Sequence, residues 1–178
     1  MSERTELKNI GIIGKRNNDA LFVPKEYRIK TDNIFNKIGD IYHTNKKQIE
    51  SINIIFMDEL LNTENKLIKT ELIKKLRGYK YQDIKKKKYD ELNFITIDNL
   101  IEMLVICKLK CVYCKFDTEL IYSTVRSKKQ WTLDRIDNSY GHNNDNVKIS
   151  CLKCNLDRRD INQTKFIFSK GLTITKLI

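Results

Sequence analysis

The chain has 178 residues and a formal net charge of +11, from 34 lysines and arginines against 23 acidic residues. This length holds one ordinary domain, or a small zinc module with a helical partner region, and excludes two unrelated large domains. The excess of basic residues favours a polyanionic partner, because lysine and arginine that neutralise phosphates release counterions. A solvated basic surface without a partner is the alternative.

Cysteine usage and hydropathy indicate the compartment. Of five cysteines, four stand in two Cys-x-x-Cys pairs and only Cys107 is left over, which argues against a disulfide framework. No run approaches the roughly 18 apolar residues of a membrane span, and residues 1–6 are too polar for a secretory leader. We therefore expect no membrane partner and an intracellular, reducing location: the cytoplasm or nucleus, including that of a virus-infected host.

The first half of the chain is expected to be basic and partly helical. Residues 1–50 contain the only proline, Pro24, and show no sustained periodicity, so we predict weak structure there. Residues 60–77 place apolar side chains at helical spacing before Gly78, which predicts an amphipathic helix that stops at the glycine. A further helix is predicted from Asp98, as its N-cap, to about Cys107.

A dense basic run lies at residues 66–88, where ten lysines and arginines face two acids, a local net charge of +8. Tyr79, Tyr81 and Tyr89 are interleaved with it, so contacts to phosphates and to bases can both arise. A solvated helix face above packed tyrosines is an equal alternative. The candidate nucleic-acid-binding residues in this run are Lys74, Lys75, Arg77, Lys80, Lys85, Lys86, Lys87 and Lys88.

The last third of the chain carries the two cysteine pairs, Cys111 with Cys114 and Cys151 with Cys154. Two thiolates separated by two residues can bind one ion, and two such pairs fill the four positions of a tetrahedral structural Zn²⁺. Cys107 is interpreted as a small buried apolar residue rather than a further ligand.

Between and after the pairs, residue patterns predict a strand at 131–136, a turn-rich loop at 138–145, a strand at 147–150 and a helix at 152–160. Residues 166–178 are expected to pack back as a short strand or helix. With Asp134-Arg135 on the first strand and Asn146 before the second, the region resembles the HNH endonucleases, also called ββα-metal nucleases, in their zinc-stabilised form. The resemblance covers residues 111–159.

The resemblance implies an α+β fold, in which a mainly helical N-terminal region at residues 1–95 precedes a zinc-stapled, treble-clef-like ββα-metal finger at residues 96–178. It also implies that Asp134 and Asn155 hold a catalytic Mg²⁺ or Mn²⁺, since carboxylate and amide oxygens suit hard cations. Asn146 would brace the loop. Alternatively, Asp134 is an ordinary strand residue paired with Arg135 or Arg158.

Arg135 occupies the position where the family has its general-base histidine. A guanidinium stays protonated at any workable pH and cannot accept a proton, so Arg135 is expected to clamp a phosphate instead. His142, in the loop between the strands, is the candidate replacement base, because an unperturbed imidazole titrates near pH ~6.5. A loop histidine bonded to its surroundings is the equal alternative, and His43 is interpreted as a surface or structural residue.

The remaining candidates play lesser parts. Asp137 and Tyr140 could position metal or water, although Asp137 could equally cap the turn. Lys153, Arg158 and Arg159 lie on the predicted finger helix, where they would contact a duplex backbone or form a solvated face.

Together these features predict a metal-dependent endonuclease that hydrolyses DNA phosphodiester bonds, with structural Zn²⁺, catalytic Mg²⁺ or Mn²⁺ and no small-molecule cofactor. A zinc-containing DNA-binding module of the same fold, inactive for want of the histidine, is the alternative. A zinc-ribbon adaptor for protein partners ranks third, because it would need an exposed apolar surface that this charged sequence does not indicate.

Overall fold

The computed structural model describes residues 28–30, 34–39, 44–57 and 62–172. The predictions for Pro24 and His43 lie outside the described residues. Within them, helices and a two-stranded antiparallel sheet give a mixed α and β fold, as expected. Before the sheet, the described residues form the helices α1 Ile34–Ile38, α2 Asn45–Met57, α3 Thr63–Lys85 and α4 Ile97–Ile106. None of the described helices combines the length and the hydropathy needed to cross a bilayer.

Helix α3 is longer than its sequence pattern predicted. It starts after Asn62, whose side chain accepts a hydrogen bond from the Asn65 amide at 2.8 Å, and it continues through Gly78. A glycine inside a helix costs about 1 kcal/mol relative to alanine. Burial of Leu72 and Leu76 on the helix face that meets the core offsets that cost. The predicted stop at Gly78 was therefore wrong.

Two further predictions for the helices needed correction. Thr96, not Asp98, is the N-cap of α4, because its hydroxyl accepts from the Asn99 amide at 3.2 Å. Helix α2 begins at Asn45, inside the stretch predicted to be weakly structured. That helix buries Ile52 and Ile55 in the core, so tertiary packing stabilises a segment with little periodicity of its own.

The sheet pairs β1, Trp131–Arg135, with β2, Val147–Cys151. Its register places Leu133 opposite Ile149 and Asp134 opposite Lys148. A loop that ends in a short 3-10 helix, Asn144–Asn146, joins the strands. Two helices follow, α5 Leu152–Arg158 and α6 Gln163–Gly171. The predicted order of strand, loop, strand and helix is therefore present.

The two faces of the sheet pack against different partners, since alternate side chains of a strand point to opposite sides. Trp131, Leu133 and Ile149 join the main core with side chains of α3 and α4. Thr132 and Asp134 on the other face bond to side chains of α5. Residues on both sides of position 95 share the main core, and the division into two domains stays a prediction.

A second, smaller core surrounds the cysteine pairs and includes Tyr113 and Phe166. The two rings meet edge to face, with centroids 5.0 Å apart and an interplanar angle of 81°. Phe166 is only 5% exposed, so this contact holds α6 against the first cysteine pair. The segment after residue 166, left open between strand and helix, is helical as far as Gly171.

Candidate metal centre and candidate active site

The four paired cysteines converge on one point. One sulfur atom from each of Cys111, Cys114, Cys151 and Cys154 lies within 4.8 Å of the others. The first pair turns through a hydrogen bond from the Lys115 amide to the Cys111 carbonyl at 3.0 Å. The second pair spans the start of α5, where the Cys151 sulfur accepts from the Cys154 amide at 3.4 Å.

The electrostatics of this cluster call for a cation. Burial and the charge of Cys111 raise the pKa of Cys154, because thiolates held this close together repel one another. A divalent ion that prefers four sulfur ligands removes this repulsion, and four converging thiolates fit structural Zn²⁺. Cys107 lies outside the cluster, and its sulfur donates to the Leu104 carbonyl at 3.4 Å.

Asp134 is engaged by Arg158 and Tyr113. Nε and Nη2 of Arg158 lie 2.7 and 2.9 Å from the two oxygens of Asp134, and the Tyr113 hydroxyl donates to one of them. Arg158 is 1% exposed and Asp134 is 4% exposed. The alternative in which Asp134 pairs with Arg158 is therefore the one observed. The expectation that Arg158 contacts DNA was wrong, because its side chain is buried.

This arrangement does not fit the implied Mg²⁺ or Mn²⁺ site. A hard cation needs oxygen ligands that are free to face it, whereas both Asp134 oxygens accept from a guanidinium. The Asn155 side chain uses its amide nitrogen to reach Thr132 Oγ1 at 3.0 Å, and it lies on the same side of the sheet. With the Asp134–Arg158 ion pair closed, these residues do not offer a divalent-cation site.

Asn146 holds the loop between the strands in shape. Its Oδ1 accepts from the Asp137 amide at 2.9 Å, and its Nδ2 donates to the carbonyls of Asp137 and Gly141 at 2.9 and 3.0 Å. Asp137 in turn accepts from the Ser139 amide at 2.7 Å, which is the turn-capping alternative. Arg135 donates to the Tyr140 carbonyl at 3.1 Å across the same loop.

His142 forms a buried pair with Asp83. Its Nδ1 lies 2.8 and 2.9 Å from the two carboxylate oxygens of Asp83, and its backbone amide donates to the same carboxylate at 2.6 Å. His142 is 3% exposed and Asp83 is fully buried. Burial lowers the pKa of His142, and Asp83 opposes that shift only in part. The imidazole is therefore neutral near pH 7, with Nδ1 directed at a carboxylate.

Tyr79 connects this pair to the first strand. Its ring centroid lies 4.6 Å from that of His142, and its hydroxyl accepts from the Leu133 amide at 3.1 Å. Burial raises the pKa of Tyr79, and the nearby charge of Asp134 adds to the effect. Burial lowers the pKa of His142, and the charge of Arg135 adds to that shift. Tyr79 thus lies between His142 and the backbone of β1.

Sequence reasoning missed Asp83, which it counted only as an acid within the basic run. The helical period carried a signal, because Asp83 continues the buried stripe formed by Leu72 and Leu76 on α3, on the same side as the half-buried Tyr79. A carboxylate at a core position of a helix needs a partner. His142, 59 residues away, supplies it.

The basic run of α3 does not form one continuous surface. Lys75 is half-buried: its Nζ donates to Gln130 Oε1 at 3.1 Å and to the Trp131 carbonyl, and partial burial lowers the pKa of Lys75 to about 7. These two contacts occupy the ammonium group, and a phosphate contact for Lys75 stays a prediction. Lys88 donates to the Asn138 carbonyl of the strand loop.

The remaining candidate cations of this region lie at the surface. Lys80 is held over the Tyr89 ring, 4.7 Å from its centroid. Lys74 pairs with Glu71 at 3.5 Å. The exposed members of the predicted set are Lys74, Arg77, Lys80, Lys85, Lys86, Lys87, Lys153 and Arg159.

Comparison with known proteins adds no relative: no protein-family model, no curated protein and no solved structure matches the chain.

Proposed function

We propose that the chain is an HNH-type endonuclease that hydrolyses DNA phosphodiester bonds, with His142 as the general base. The supporting observation is the Asp83–His142 pair within the loop of a two-stranded finger closed by four cysteines. An imidazole whose Nδ1 faces a carboxylate presents Nε2 as the proton acceptor, and its lowered pKa keeps that nitrogen free near pH 7.

In the proposed reaction, His142 takes a proton from water while the water oxygen attacks phosphorus. The bond from phosphorus to the leaving sugar oxygen then breaks, and that oxygen takes a proton from solvent to leave as the alcohol. Arg135 adds positive charge beside the base, where it binds the phosphate whose negative charge grows during the attack. Asp83 holds the imidazole orientation. No catalytic Mg²⁺ or Mn²⁺ takes part in this step, because Arg158 and Tyr113 engage Asp134.

The exposed part of the basic run on α3 supports DNA as the partner. Lys85, Lys86 and Lys87 are exposed at the end of α3, and Lys88 fastens that end to the strand loop at Asn138. Phosphates that contact these lysines would therefore lie beside the loop that carries His142. A cluster of cations placed next to the reacting group both binds and positions a polyanion.

A second candidate is the zinc-containing DNA-binding module without catalysis. Two observations favour it: the closed Asp134–Arg158 ion pair, and the 3% exposure of His142, which limits access of water to the imidazole. Both candidate functions predict that the chain binds zinc and that it binds duplex DNA with an affinity that depends on salt. Only the nuclease breaks the backbone.

The test is nicking of supercoiled plasmid by the native chain and by His142→Gln, with and without added Mg²⁺ or Mn²⁺. Loss of a general base typically lowers the rate by about 10²- to 10⁴-fold. Asp145→Asn, an exposed change in the same loop, is the matched control and should nick normally. If the native chain binds zinc and duplex DNA yet never nicks the plasmid, the nuclease proposal fails and the DNA-binding module without catalysis is the remaining function.

A further inference from the structure

A cavity of about 790 Å³ opens beside the four cysteines, between the first pair, residues 128–129 and α6. We call it the zinc-side groove. Its lining includes Lys115, Phe116, Lys128, Lys129, Lys153 and Ile167. A single zinc ion fills only a small fraction of this volume. The groove matches the 300–1,000 Å³ typical of ligand sites, so it has room for a larger occupant.

The groove combines an exposed ring with an excess of positive charge. Phe116 is 77% exposed although it is a large apolar residue. Lys115, Lys128 and Lys129 are exposed and form no salt bridge with any residue that the structure describes, whereas Lys153 and Lys170 both pair with Asp157. Asp117, the acid in the lining, pairs with Lys110 at 3.4 Å.

The zinc centre does not account for all of these lysines. Four thiolates around Zn²⁺ carry a formal charge of −2, which cations nearby would offset. Five lysines line the groove. The tetrathiolate offsets two of them and Asp157 offsets one, which leaves a net charge of +2. Lys153 and Lys170 keep one of these charges beyond their shared Asp157, and the other lies on the wall formed by Lys115, Lys128 and Lys129, next to Phe116.

We propose that the zinc-side groove binds a short single-stranded segment of nucleic acid. The three lysines contact consecutive phosphates, and an unpaired base stacks on Phe116. A duplex does not suit this surface, because its bases are stacked on one another and offer no free face to a ring. This inference does not rest on the proposed endonuclease activity, since none of the groove lysines and rings belongs to the loop of His142.

The test is fluorescence anisotropy of the full chain, loaded with zinc, with a labelled oligothymidine of about 12 nucleotides, a length within the range of single-strand sites. The oligonucleotide is checked for cleavage after each titration, so binding is measured apart from cleavage. Phe116→Ala should weaken binding about 5- to 100-fold, the usual effect of losing one stacking ring. Phe168→Ala, which removes a 69% exposed ring outside the groove lining, is the matched control and should bind normally.

Replacing Lys128 and Lys129 together with alanine should lower the salt dependence of binding by about 1.4 in the slope of log affinity against log salt. Zinc content and circular dichroism of each variant establish that the fold is kept. Equal binding by Phe116→Ala and the native chain would overturn the proposal. An equal loss of binding in Phe168→Ala would also overturn it. Displacement of the oligonucleotide by a polyglutamate peptide of matched charge would overturn it as well, because that result would indicate an acidic protein partner.

Discussion

The carboxylate of Asp134 and the guanidinium of Arg158 form a buried two-point ion pair, with N–O distances of 2.7 and 2.9 Å. Arg158 also donates to the Ile161 carbonyl at 2.8 Å, beyond the end of α5. The pair therefore fastens strand β1 to helix α5 and to the turn that follows it. Asp134, which the HNH resemblance implies is a metal ligand, therefore stabilises the fold through its ion pair with Arg158.

Asp134→Ala should consequently destabilise the fold. Breaking a buried ion pair by removing one partner typically costs about 3–5 kcal/mol, because the other charge stays buried without compensation. Urea unfolding, followed by circular dichroism, measures the change in the free energy of unfolding. The double variant Asp134→Leu with Arg158→Met removes both charges and should recover most of the loss.

Asp145→Ala, an exposed acid in the adjoining loop, is the control and should change stability by less than about 0.5 kcal/mol. A loss of similar size in the control and in Asp134→Ala would contradict the structural role. Because Asp134→Ala is expected to weaken the fold, loss of nicking in that variant alone does not identify a catalytic residue. His142 variants are the better test of the proposed chemistry.

The four-cysteine cluster should bind one zinc ion per chain, and folding should depend on it. Cys154→Ser removes one of four converging sulfur ligands and should lose both zinc and the helix contacts around Phe166. Atomic emission spectroscopy of the purified chain measures the metal, and a chelator titration followed by circular dichroism measures the linkage. Cys107→Ser, outside the cluster, should bind as much zinc as the native chain. A lower zinc content in that variant would contradict the assignment of the four ligands.

Local spacing was enough to predict the cysteine cluster and the order of strand, loop, strand and helix, since each depends on residues close in sequence. The contacts of the candidate site instead join residues that are far apart in sequence. Asp83 and His142 are 59 residues apart, and Asp134 and Arg158 are 24 apart. Single-sequence patterns do not say which of several acids and bases will meet across such separations.

The half-buried position of Lys75 shows the same limit, although the sequence carried part of the signal. The residue follows Ile68 and Leu72 at helical spacing, so the pattern placed it near the apolar stripe of α3. Its ammonium group nevertheless reaches two acceptors near β1, and it lies 4.2 Å from the Trp131 ring centroid. Composition alone assigned this lysine to a basic surface, because the strand that covers it is about 55 residues away in sequence.

Gly141 should be intolerant of any side chain. A β-carbon there would come within 2.4 Å of the Lys88 carbonyl oxygen and 2.9 Å of an Asp83 carboxylate oxygen. Gly141→Ala therefore forces the strand loop away from the end of α3, and overpacking of this kind costs about 1–3 kcal/mol. Thermal unfolding measures the loss. Gly78→Ala, where a β-carbon meets nothing within 4 Å, is the matched control and should be neutral or stabilising.

The His142 environment predicts how stability depends on pH. Burial lowers the pKa of folded His142 below its ordinary value, so the unfolded chain binds the proton more readily than the folded chain does. The stabilisation is complete above pH ~6.5 and is lost as the pH falls toward the folded pKa, at up to about 1.4 kcal/mol for each pH unit. Comparing urea unfolding of the native chain and His142→Gln between about pH 5 and pH 8 isolates this contribution. Parallel curves for the two proteins would show that His142 does not titrate differently on folding.

Asp83→Asn tests whether the carboxylate positions a working base. Asparagine keeps a hydrogen-bonding side chain beside Nδ1 but removes the charge that raises the pKa of His142. The pKa should fall further, so the acid limb of the nicking rate should move to lower pH and the plateau rate should drop. Nicking of supercoiled plasmid across that pH range measures both. A purely structural role for Asp83 would lower the amount of folded protein and the plateau, yet leave the midpoint of the acid limb in place.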